Sequence, residues 1–136
     1  MEREICRDPL LLGRHAVPAT LEDVDLGRDL MDTLKANRER CVGMAANMIG
    51  ENKAIIVFDD DGKLTLMYNP EVLRRDGPYE AEEGCLSLAG VRKTTRYRSV
   101  KVRYQNERFQ VRIKTFRDFT AQIIQHECDH LEGILI

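Results

Sequence analysis

The chain has 136 residues, enough for one domain with a buried core and too few for two of ordinary size. Apolar residues make up 43% and charged residues 32%, an ordinary globular balance, and a net charge of −2 gives no reason to expect nucleic acid or a membrane surface as partner. No apolar run approaches the roughly 20 residues that cross a bilayer, and Met1-Glu2-Arg3-Glu4-Ile5 lacks the basic-then-apolar layout of an export signal, so one cytoplasmic domain over 1–136 is expected.

Between Leu21 and Arg38, the residues Leu26, Leu30 and Leu34 recur at helical spacing with Met31 beside them. A helix is expected there, with Thr20 or Asp23 as its cap. A turn rich in small residues follows, Cys41-Val42-Gly43-Met44-Ala45-Ala46-Asn47-Met48. Ala54 to Phe58 reads as an apolar strand, and Asp61-Gly62 turns the chain into Leu64 to Tyr68. Glu71 to Arg75 reads as a third short strand, ended by Asp76-Gly77-Pro78. Gly84-Cys85-Leu86-Ser87, after the acidic pair Glu82-Glu83, reads as the end of a loop entering an extended segment. Val100, Val102 and Tyr104 alternate with polar residues, as do Phe109, Val111 and Ile113, and Asn106-Glu107 joins the two as a hairpin. A helix from about Phe116 to Leu131, stopped by Gly133, comes last. Antiparallel hairpins followed by a helix indicate an α+β fold.

The last helix carries His126-Glu127-Cys128-Asp129-His130, an H-E-x-x-H pattern. Residues four apart share one face of a helix, so both imidazoles can reach one metal ion. Glu127 then stands beside the ion, placed to move a proton of a nearby water. A catalytic site of this type usually has three protein ligands. The six residues after His130 offer none: Glu132 falls on the wrong side of the helix, and a protease pattern that carries its third His six residues on meets Ile136 there. The third ligand is therefore expected upstream, from His15, Cys6, Cys41 or Cys85. Cys85 stands out by its Glu-Glu-Gly-Cys-Leu-Ser context, but spacing alone does not choose among the cysteines. Ile124, Cys128 and Leu131 form an apolar stripe that should dock on the sheet, while Phe119 and Ile123 share a face with the histidines.

Glu83-Gly84-Cys85-Leu86-Ser87 and Gln125-His126-Glu127-Cys128-Asp129-His130 resemble the second and third signature motifs of the peptide deformylases. Cys41 to Met48 is similar to their first motif, G-x-G-x-A-A-x-Q, with Cys41 at its first Gly and Met48 at its Gln. Asp8-Pro9, Tyr68-Asn69-Pro70 and Thr95-Arg96-Tyr97 extend the likeness over nearly the whole chain.

This resemblance implies antiparallel β-sheets packed around the C-terminal H-E-x-x-H helix. It implies one divalent metal ion, Fe²⁺ or Zn²⁺, held by Cys85, His126 and His130, with Glu127 as the proton-transfer group. It implies that the main-chain N–H of Leu86 stabilises the developing oxyanion. It implies a substrate, an N-formylmethionyl peptide met near the ribosome, laid as a strand against Val42, Gly43 and Gly84. Phe119 and Ile123, plain core by periodicity alone, would wall the methionine pocket. Arg92 would lie near the mouth of the site, and Arg96 would pair with Glu83. Met48 departs from the pattern where the family places a side-chain oxyanion donor, because a thioether cannot donate. The implied function is hydrolysis of the N-formyl group; the alternative is a deformylase-like protein of weak, altered or absent activity that binds blocked peptides. With Cys85 on a metal, the other three cysteines cannot all pair, which fits a reducing compartment.

Overall fold

In the computed structural model, which describes residues 1–136, five strands form one antiparallel sheet in sequence order. They are β1 (Gly43–Ala45), β2 (Ile55–Asp60), β3 (Lys63–Gly84), β4 (Val91–Gln105) and β5 (Val111–Arg117). The helices are α1 (Pro9–Leu12), α2 (Val24–Ala36) and α3 (Asp118–Leu131). None of them is long and apolar enough to cross a membrane.

The expected α+β class holds, and β2 shows why its run is so apolar. Ile55 and Val57 face a cluster with Leu30 and Leu34 of α2, while Ile56 and Phe58 face a second cluster with Ile124 and Leu131 of α3. A strand covered on both faces has no polar side to show. Each such side chain contributes about 1.5–3 kcal/mol by leaving water. Cys128 packs on the second cluster, which completes the apolar stripe expected of α3.

Local chemistry sets the turns. Asp61 and Gly62 both take positive φ, 52° and 95°, the turn geometry that matches the twist of a two-residue hairpin. Thr20 and Asp23 cap each other: the Thr20 hydroxyl accepts from Glu22 N–H, and the Asp23 carboxylate accepts from Thr20 N–H at 2.8 Å. A short 3₁₀ turn, Leu21–Asp23, then leads into α2.

Five expected boundaries move. Leu64 to Tyr68 and Glu71 to Arg75 are not separate strands but parts of the 22-residue β3. Asp76-Gly77-Pro78 does not end it: Asp76 pairs with Ser99 and Pro78 with Tyr97 in unbroken register, and the irregularities lie upstream, between Tyr68 and Glu71 and between Val72 and Arg74. The Cys85 segment consequently leaves a strand instead of entering one. Phe109 lies in the β4–β5 turn with φ of 57°, its ring 5.0 Å from that of Tyr68. Phe116 belongs to β5, packed edge-on against Phe58 at 5.9 Å, and Asp118, at φ 57°, turns the chain into α3.

Candidate active site

Helix periodicity puts His126 and His130 on one face of α3, with their Nε2 atoms 3.1 Å apart. The end of β3 delivers Cys85 to the same point, and the three ligand atoms lie within 4.8 Å of one another. Two imidazole nitrogens on one tetrahedral ion with bonds of about 2.05 Å would be about 3.3 Å apart, so the donor set fits a single divalent cation. The other upstream candidates are not in this group. His15 is exposed beside a separate cavity, and the Cys41 thiol shares the Cys85 cavity but donates to Gly43 C=O at 2.8 Å.

Glu83 orients the first imidazole. His126 Nδ1 lies 2.7 Å from Glu83 Oε1, so with its proton on that nitrogen the ring turns Nε2 toward His130. Burial alone would raise the Glu83 carboxyl, but hydrogen bonds from His126, Arg96 and Gln122 hold it down at about 2. Burial alone would lower His126, yet hydrogen bonding with Cys85 and Glu83 lifts it to about 10. Burial, then the neighbouring His126 charge, pushes His130 down to about 3. At 3.1 Å the two Nε2 atoms share one hydrogen bond, so both rings face the same point.

Glu127 does not join the ligand group. Its side chain is buried, Oε1 has no hydrogen-bond partner, and burial raises the carboxyl to about 7. A carboxyl near neutrality can both take and return a proton.

These groups open on a cavity of about 540 Å³. Val42, Gly43, Gly84 and Leu86 border it, and Ile123 is a buried part of its wall. Phe119 borders it too, but is 60% exposed and stands at the rim. The Leu86 N–H donates to no main-chain carbonyl. Met48 is buried at the cavity, and its Sδ accepts from Ala45 N–H at 3.4 Å. Asn47 does not replace the missing donor: its Nδ2 donates to His130 C=O at 2.8 Å, clamping the end of α3.

Arg96 pairs with Glu83 as expected, at 2.7 Å. Arg92 does not line the cavity; it donates to Ala89 C=O and braces the loop after β3. Sequence reasoning missed three groups. Asp129 binds the far side of Arg96 at 2.7 Å, Gln122 Nε2 donates to Glu83 at 2.9 Å, and the Tyr79 hydroxyl donates to Gln122 Oε1 at 3.2 Å. Gln122 was detectable, since it precedes His126 by one turn and shares its face. Gln125 proves structural, because it exchanges hydrogen bonds with the main chain of Tyr97 on β4.

The family described as polypeptide deformylase matches residues 8–136. A peptide deformylase of Clostridium beijerinckii is 50% identical over 136 residues, covering all of both chains. A Legionella pneumophila peptide deformylase structure superposes with a TM-score of 0.89 at 32% identity, over 99% of this chain and 83% of that one. A Met-Ala-Ser-bound class I type b peptide deformylase from Acinetobacter baumannii gives a TM-score of 0.89 at 26% identity, over 99% and 97%. The likeness runs through the whole fold and not only through the stretches around Cys85 and His126 to His130, and on that ground this chain belongs to the peptide deformylase family.

Proposed function

We propose that this protein hydrolyses the N-formyl group of N-formylmethionyl peptides, releasing formate, with one divalent cation, Fe²⁺ or Zn²⁺, held by Cys85, His126 and His130. The observation that carries this reading is the convergence of those three ligand atoms beside a buried Glu127 carboxyl. When bound, the cation supplies Lewis-acid polarisation of the formyl oxygen and acidifies water toward neutral pH. Glu127 takes the proton of the attacking water and returns it to the amine nitrogen as the C–N bond breaks. The Leu86 N–H donates to the formyl oxygen as charge develops there.

The peptide lies along β1, an edge of the sheet, between Val42 and Gly43 on one side and Gly84 on the other. Ile123 packs on the methionine side chain, with Phe119 at the rim. The Acinetobacter relative that holds Met-Ala-Ser supports a peptide beginning with methionine as the ligand. The setting is new chains near the ribosome in a reducing cytoplasm, a compartment that suits four free cysteines.

Met48 favours a second reading, a deformylase-like protein with weak or altered activity that holds blocked peptides. One experiment separates the two. Fe²⁺-loaded protein, kept anaerobic, is given formyl-Met, acetyl-Met and unblocked peptides. Formate release from the first alone supports deformylation. Binding of blocked peptides without turnover selects the second reading and rejects the first.

A further inference from the structure

Glu83 is the buried carboxylate behind the metal-ligating ring of His126, and two separate groups hold it from behind. Arg96 donates from Nε and Nη2, at 2.7–3.1 Å. Gln122 donates from Nε2 to the other carboxylate oxygen, Oε2, at 2.9 Å. The Gln122 amide has a defined orientation. A carboxylate only accepts, so Nε2 must face Glu83 and Oε1 must face away. The Tyr79 hydroxyl meets that Oε1 and donates to it at 3.2 Å, while the Arg98 guanidinium sits 5.0 Å above the Tyr79 ring. An ordered path thus runs from β3 through Tyr79, Gln122 and Glu83 to His126 Nδ1.

We propose that Gln122, oriented by Tyr79, is a positioning residue for the metal centre: it fixes the Glu83 carboxylate so that His126 presents Nε2 to the cation. This rests on the assignment of Cys85, His126 and His130 as ligands. Arg96 supplies the charge that keeps Glu83 ionised, whereas Gln122 fixes the tilt of the carboxylate. Without Gln122, Oε2 keeps only its contact with Arg96 Nε, and the tilt of the carboxylate toward His126 rests on Arg96 alone. Partners of this kind behind a ligating histidine typically affect metal affinity by 10–100-fold. Gln122 also borders the substrate cavity, so its side chain sits where the metal support and the peptide groove meet.

The test is Co²⁺ binding by the full chain, followed by the thiolate-to-cobalt absorption band and by competition with a chelator. Gln122→Leu removes the donor, and Tyr79→Phe removes only the hydroxyl that orients it. The expected result is a Co²⁺ dissociation constant about tenfold higher for Gln122→Leu. A rise in the same direction is expected for Tyr79→Phe, with metal-free thermal midpoints close to the parent. Unchanged constants in both variants, with the parent showing the thiolate band, overturn the role of Gln122 and leave the ligand assignment standing. If Gln122→Leu does not fold, an unchanged constant in Tyr79→Phe overturns the proposal by itself. A parent without the thiolate band overturns the ligand assignment, and the positioning role with it.

Discussion

The Glu127 side chain lies against the bare Cα of Gly43. A β-carbon on Gly43 would stand 3.0 Å from Glu127 Oε2, 3.2 Å from Glu127 Cγ and 2.6 Å from Ile123 Cγ2. Gly43 has no positive φ, so close approach and not backbone freedom is what requires glycine here. Gly43→Ala should displace the Glu127 carboxyl and lower kcat about 10²-fold, the scale of a misplacement near 1 Å. Metal content should not change. Steady-state kinetics with metal analysis checks this, and a kcat within threefold of the parent would show that the contact does not set the carboxyl's position.

Glu127→Gln removes the proposed proton-transfer group but none of the three proposed ligands. Turnover of a formyl-Met peptide should fall by about 10²–10⁴-fold. One metal per chain should remain by elemental analysis. Loss of metal would mean that Glu127 belongs to the ligand set.

Met48→Gln should raise kcat. Met48 Sδ already accepts from Ala45 N–H, so a Gln carbonyl can take that bond and leave its NH₂ for the cavity. One restored oxyanion donor corresponds to about 10²-fold or more in rate. An unchanged rate would mean that another group already fills the donor position.

Gly27→Ala tests packing against propensity. Alanine should gain about 1 kcal/mol in a helix interior. Here its β-carbon would fall 1.9 Å from the Tyr68 hydroxyl oxygen, on a fully buried ring tied to Val24 C=O at 3.0 Å. Overpacking costs about 1–3 kcal/mol or more, so a net loss is expected by urea unfolding. A gain in stability would show that Tyr68 moves freely.

Arg96→Met leaves two carboxylates, Glu83 and Asp129, without their shared cation. Breaking a buried pair on one side costs about 3–5 kcal/mol. Urea unfolding should show that loss, and His126 should bind metal more weakly once Glu83 is unpaired.

The histidine pair was legible because its geometry is local: residues four apart on a helix meet whatever the rest of the chain does. The apolar run of β2 and the Asp61-Gly62 turn were legible for the same reason. The continuation of β3 through Pro78 was not, since it depends on pairing with Tyr97 of another strand. Nor were Asp129 and Tyr79, whose partners come from distant parts of the chain.

The sequence by itself determined the chemistry on offer: two imidazoles at helical spacing, a carboxyl between them, and a thiol in a recognisable context. It also determined that Met48 cannot donate a hydrogen bond. Only the tertiary structure decided which thiol reaches the histidines, why Gly43 must be glycine, and that Asn47 turns away to His130 C=O. These are contacts between segments far apart in the chain. Packing of α3 against β1, β2 and β4 creates them, and no local periodicity encodes that packing.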